Sequence, residues 1–151
     1  MKKIITLLVL VGRLAMGGES EHKQLDQYVK NFDLTEVKNM KISSVEMLNM
    51  IEEGSAVLID IRFKEEVQSW SIPFAKNIPL NELPERLNEL PKDKLIITAC
   101  PHNDRANIAR LYLTMKGYKA KYVNDGLLNV VNYLKGSNAV EFIEELNKNK
   151  K

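Results

Sequence analysis

Two hydrophobic rhythms alternate along this chain. Residues 56–61 (AVLIDI) and 94–99 (KLIITA) are short, rich in branched residues and without alternation, so they read as strands buried on both faces. Shorter strands are predicted at 40–42, 75–78 and 118–123. The intervening segments change to a helical spacing. Residues 21–32 place Leu25, Tyr28, Val29 and Phe32 on one stripe, and Met47, Leu48 and Ile51 form another between a Ser43/Glu46 capping box and Gly54. A short helix is predicted over 65–70, and a longer one over 81–90 between Pro79 and Pro91. Residues 106–116 carry Ile108, Leu111, Tyr112 and Met115 up to the stop at Gly117; further helices follow at 127–134 and through Ala139, Phe142, Ile143 and Leu146. Strands alternating with helices predict an α/β fold, a small parallel sheet of about five strands covered by helices on both faces.

Candidate chemistry concentrates between the 94–99 strand and the 106–116 helix, in the loop CPHNDR. It opens with Cys100, the single cysteine of the chain, and closes with Arg105. A loop joining a strand end to a helix start directs free backbone N–H groups toward its centre, here the sulfur of Cys100. Those donors, the helix end and Arg105 all favour thiolate, and are expected to lower the thiol pKa from about 8.5. The plainer alternative makes Cys100 a small buried hydrophobe at a strand end.

Cys-x-x-x-x-Arg in this setting resembles the active loop of the rhodanese family of sulfurtransferases. The segment DIRFKEEVQSWSIPFAKNIPL, residues 60–80, is similar to the family's D-x-R…E-E…G-H-I-P-G-A…N-I-P-L signature at Asp60, Arg62, Glu66, Ile72, Pro73, Ala75, Asn77, Ile78, Pro79 and Leu80. The resemblance covers about residues 40–135. It implies a rhodanese-like fold and sulfane-sulfur transfer from a small donor, polysulfide or thiosulfate, to a thiol or cyanide through a Cys100 persulfide. No cofactor and no metal are implied. Cys100 and Arg105 take the catalytic roles, and Pro101, His102, Asn103 and Asp104 form the substrate-binding loop. Asp60 and Arg62 support the loop base through an ion pair; Glu66 is structural. Phosphatases and arsenate reductases that share a Cys…Arg cradle place one more residue between the two, so the tighter ring here favours a single sulfur over a tetrahedral oxyanion.

Several positions depart from the family pattern. Pro101 stands where a basic residue is usual, removing a charge and a backbone donor. Asn103 replaces a glycine and tolerates positive φ. His102 either restores charge at low pH or is a plain exposed loop residue. Asp104 either caps the next helix or opposes thiolate formation. Trp70, Ser71 and Phe74 replace Gly-His and Gly, which reshapes the rim or only alters local packing. A second reading makes the chain a sulfur-relay or sensing module that hands sulfur to a partner protein, with an exposed Trp70 and Phe74 region and the N-terminal helix as docking surface.

Composition narrows the class. With 44% apolar and 28% charged residues the chain is an ordinary globular one, long enough for a single core. Three of its 22 basic residues, Lys2, Lys3 and Arg13, precede Glu19, so the rest is nearly neutral and no nucleic-acid partner is expected. Residues 1–18 have two lysines, an apolar run and Ala15-Met16-Gly17, which together read as a secretory signal and predict export to the periplasm. Arg13 interrupts the pattern, and the alternative is a cytoplasmic chain in which this stretch is a core strand or an uncleaved interfacial segment. The run is too short to span a bilayer, so no stable membrane insertion is expected. The expected organisation is a signal at 1–18, a helical extension at 19–39, the catalytic domain at 40–136, and a C-terminal helix with a basic tail at 137–151.

Overall fold

A computed structural model describes residues 22–149; the expected signal segment lies outside the described residues. The chain divides into two compact units between Glu36 and Val37. In the first, helix α1 is described over 22–30. Tyr28 meets Phe32 edge-on at 6.0 Å and donates to Glu36 at 2.7 Å. The rest of the predicted stripe, Leu25, Val29 and Phe32, is exposed. Helix α2 (Leu34–Asn39) spans the division.

The second unit holds a five-stranded sheet in the order β1-β5-β4-β2-β3, every pair parallel. Its strands are β1 (Lys41–Ile42), β2 (Ala56–Asp60), β3 (Lys76–Asn77), β4 (Leu95–Ala99) and β5 (Ala120–Val123). The two unalternated runs, β2 and β4, lie side by side at the centre, where both faces must be apolar. One face packs Leu58, Ile97 and Ala99 with residues of α3 (Ser44–Glu52), α6 (Gly126–Tyr133) and α7 (Ser137–Lys148). The other packs Ile59, Ile96 and Cys100 with α5 (Asp104–Met115) and with Leu83 and Leu90. Helix α4 (Lys64–Ser69) follows β2. Among the described residues, no helix is long and apolar enough to cross a membrane.

Two sequence expectations are corrected. The helix expected over 81–90 is a pair of 3-10 turns, Leu83–Glu85 and Leu87–Glu89. Pro84 sits at the start of the first turn, and Pro91 has no N–H to give the Leu87 carbonyl, which accepts the Leu90 N–H at 3.2 Å and the Tyr118 hydroxyl at 2.8 Å. The buried face of α5 is also rotated from the predicted stripe. Ala106, Ala109, Arg110 and Leu113 are buried, while Ile108 is 58% exposed. Small side chains face the sheet because the six-residue loop returns α5 directly onto β4, where Thr98 Oγ1 donates to the Ala106 carbonyl at 2.9 Å.

The turn from β5 into α6 is braced at both ends. The Asp125 carboxylate accepts from the Ser44 N–H at 2.9 Å and from the Ser44 hydroxyl at 2.7 Å, tying it to the start of α3. Gly126 has φ +75°, and a Cβ there would lie 2.2 Å from the His102 carbonyl oxygen and 2.3 Å from that of Pro101. Only a glycine allows both the backbone angle and that approach. Gly126→Ala is therefore expected to destabilise the fold by about 3 kcal/mol, and to slow every reaction of the Cys100 thiol that depends on the loop's shape. Denaturant unfolding checks the first effect, and alkylation rate under native conditions the second.

Candidate active site

Cys100 follows the last residue of β4 and is fully buried. The chain turns through Pro101, His102 and Asn103 and enters α5 at Asp104. The backbone N–H groups of His102 and Ala106 favour the thiolate, as the strand–turn–helix geometry predicts. Loop carbonyls face the other way. Those of Cys100 and Pro101 accept from Leu127 N–H at 2.9 Å and Leu128 N–H at 3.4 Å, the first turn of α6. Asn103 Nδ2 donates to the Asn124 carbonyl at 2.9 Å. Donors thus point in and acceptors out, with α6 satisfying the acceptors.

Asn103 needs no left-handed conformation: its φ is −153°, and no described residue other than glycine has positive φ. Asn103 occupies the cap position, and Asp104 is the first helical residue. Of the two roles weighed for Asp104, the structure has the electrostatic one, because its Oδ1 accepts from Cys100 Sγ at 3.6 Å. The Arg105 backbone N–H is the main cause holding the Asp104 carboxyl below its ordinary range. His102 is exposed.

Arg105 does not aim its fork at the loop. Nη1 and Nη2 donate to the two oxygens of Glu66 on α4 at 2.7 and 2.9 Å, a bidentate pair with both side chains about a third exposed. Hydrogen bonds from Arg105 are the chief cause that lowers Glu66 to about 2; the Phe63 N–H and the charge of Arg62 add to it. With this cation engaged, the expectation of a depressed thiol pKa is overturned. Burial pushes the Cys100 pKa up, and the Asp104 carboxylate adds to the rise, against the two backbone donors. Cys100 rests as a thiol.

Asp60 and Arg62 form the predicted ion pair, deep in the protein at 2% and 0% exposure. Arg62 Nη2 donates to Asp60 Oδ2 at 2.6 Å and to the Trp70 carbonyl at 3.0 Å, and Nε reaches both carboxylate oxygens. Its guanidinium lies 3.6 Å above the Trp70 ring, and Asn77 Nδ2 donates to the Asp60 and Arg62 carbonyls. Trp70 is therefore a packing element and not an exposed docking residue. Phe74 is too, half-buried against Phe142 of α7 at 4.8 Å. A groove of about 450 Å3 lies on the side chains of Ile51, Leu58, Phe74 and Leu146, and its rim charges, Lys76 and Glu89, pair with each other at 2.8 Å. It carries no reactive group. Among the described residues, no cluster of His, Cys, Asp or Glu could hold a metal ion.

Sequence reasoning missed two contributors to the site. Asp125-Gly126 stands where the resembled family usually has a glycine pair, but no local pattern showed that Gly126 meets the Cys100 loop. The Glu66–Arg105 pair joins residues 39 positions apart, and its one local sign was a glutamate at the third position of a short helix.

The geometry agrees with comparisons to known proteins. Residues 43–136 match the model of the Rhodanese-like domain family. The chain is 33% identical over 89 residues to the sulfurtransferase-named protein YtwF of Bacillus subtilis, covering 58% of this chain and 86% of that one. It is 36% identical to a sulfurtransferase of Allochromatium vinosum over 46% of this chain and 64% of that one. It is 38% identical to an HTH-type transcriptional regulator of Mycobacterium tuberculosis over 58% of this chain; the match spans only 39% of the regulator. A rhodanese-related protein from Thermoplasma volcanium superposes with a TM-score of 0.56 at 26% identity, covering 61% of this chain and 90% of its own. This chain belongs to the rhodanese-like domain family.

Proposed function

We propose that this protein moves sulfane sulfur from a small donor to a thiol or cyanide acceptor through a persulfide on Cys100. The observation that carries the reading is the single cysteine of the chain, buried at the end of β4 in a four-residue turn before Arg105 whose Cys100 and Pro101 carbonyls are turned outward to α6. Cys100 loses its proton to solvent, and the thiolate attacks the outer sulfur of the donor. A new S–S bond forms as the donor's own S–S bond breaks, and its electron pair leaves with sulfite or a shortened polysulfide. An acceptor thiolate or cyanide then attacks the outer sulfur and regenerates the Cys100 thiolate. The inward N–H groups stabilise the charge on the bound sulfur, as an oxyanion hole does.

Polysulfide and organic persulfides, which depend less on two localised charges than thiosulfate does, fit this loop better. Pro101 offers neither a cation nor an N–H, Asp104 lies 3.6 Å from the sulfur, and Arg105 is neutralised by Glu66. A relay reading also has an observation in its favour. Phe63, Ile108 and Leu128 are 49%, 58% and 48% exposed, on three segments that meet at the loop, where a protein acceptor could bear. Fast turnover with small thiols alone argues for the enzyme; loading without turnover argues for the relay.

The persulfide is tested by intact mass after incubation with polysulfide and, separately, thiosulfate. One added sulfur, removable by cyanide and absent in Cys100→Ser, is expected; no adduct from any donor would end the proposal. The thiol is tested by alkylation rate against pH. The midpoint should lie above that of a free cysteine, and Asp104→Asn should lower it, because removing a nearby negative charge eases ionisation. For donor preference, kcat/KM should favour polysulfide in the native protein. Pro101→Arg should raise thiosulfate activity about 10-fold while leaving polysulfide activity within about twofold.

A further inference from the structure

The three charged groups Arg62, Glu66 and Arg105 are unevenly satisfied. Arg105 spends both terminal nitrogens on Glu66. Arg62, wholly buried, gives Nε and Nη2 to Asp60 and Trp70, while its Nη1 has no hydrogen-bond partner among the described residues. An unpartnered buried guanidinium nitrogen is costly, and Glu66 lies near enough to feel the Arg62 charge. Glu66 is thus paired with the arginine beside the loop while the charge of a second arginine, buried with one nitrogen unpartnered, also acts on it. Both guanidinium forks can grip an oxyanion in two-point fashion.

We propose that Glu66 is a positioning residue that restricts oxyanion donors at the Cys100 loop: it masks Arg105 at rest, and thiosulfate, whose charge lies on a compact oxyanion head, enters only by taking Arg105 from Glu66, which turns to Arg62 Nη1. This inference rests on the sulfurtransferase reading and deepens it by naming what restricts the donor. A singly charged donor gains less from Arg105 and leaves the pair closed. Thiosulfate must break two charge-assisted hydrogen bonds first, and that cost appears in KM.

Thiosulfate and methanethiosulfonate separate the effect, since each delivers one sulfane sulfur to the Cys100 thiolate and releases, respectively, sulfite or methanesulfinate. They differ by one charge. In Glu66→Gln the ratio of kcat/KM for thiosulfate to that for methanethiosulfonate should rise about 10-fold, carried by a lower thiosulfate KM, and should shrink with added salt. Glu66→Asp keeps the charge and should hold the ratio within about twofold of native. A ratio unchanged or lowered in Glu66→Gln, with both donors slowed alike, would mean that Glu66 only braces the loop and would overturn the inference. Should Glu66→Gln not fold, the crystal structure of Cys100→Ser with thiosulfate decides: Arg105 on the anion and Glu66 on Arg62 supports the exchange, and Arg105 still on Glu66 with thiosulfate bound overturns it. Intact mass keeps the two readings apart, because failure of polysulfide, thiosulfate and methanethiosulfonate alike to load Cys100 in the native protein refutes the sulfurtransferase reading, whereas normal loading with an unchanged ratio refutes only the role of Glu66.

Discussion

The position of the Cys100 loop follows from a backbone constraint: its N–H groups cannot face the sulfur unless its carbonyls find donors elsewhere. The carbonyls of Cys100 and Pro101 find them in the first turn of α6, at Leu127 and Leu128. That turn can come so close only because Gly126 has no side chain, and it is held in place because Asp125 grips the start of α3 through Ser44. Two helices far from the loop in sequence, α6 directly and α3 through Asp125, thus fix its course. A loop left to itself would lose those inward donors to water, since free peptide groups take whichever partner is nearest.

Electrostatics then sets the resting state of the sulfur. Burial disfavours the thiolate, and the one cation of the loop is bound to a carboxylate on another helix. The N–H groups of His102 and Ala106 oppose this without prevailing, because removing a charge from water outweighs two neutral donors and Asp104 adds repulsion. Beneath the loop a second arginine is buried whole, balanced by Asp60 and covered by Trp70. A buried pair of this kind adds little to stability overall, but leaving either member unpaired is expensive. Its effect is to fix where β2 ends, with Asn77 binding the Asp60 and Arg62 carbonyls from β3.

What was legible in the sequence was what neighbouring residues decide. The unalternated runs located β2 and β4, the Ser43 cap located α3, and the four residues between Cys100 and Arg105 defined the loop. What stayed hidden depends on where elements land after folding. Arg105 prefers a carboxylate 39 positions away to the carbonyls beside it. The face of α5 was misjudged because apolar spacing favours Ile108, whereas close approach to β4 favours Ala106 and Ala109. Trp70 looked like an exposed rim residue because no local pattern shows that its ring covers Arg62. The 81–90 segment has good helical spacing, yet Pro84 and Pro91, with the Tyr118 hydroxyl at Leu87, hold it in two short turns.

A neutral resting thiol suits sulfur transfer for a reason that begins with acidity. A persulfide ionises more readily than the thiol that carries it, so on the proposed reading the sulfur is uncharged when empty and anionic once loaded. The N–H groups of the loop then contribute most in the loaded state, where a full negative charge lies on the outer sulfur. An empty site held neutral by burial keeps the reactive thiolate scarce and protects the single cysteine from oxidants, whose rates follow thiolate content. Asp104 strengthens that protection at the cost of slower loading. The proposed donor selection and the protection of the empty site would thus come from the same small set of groups: a buried sulfur, an adjacent carboxylate and an arginine engaged by Glu66.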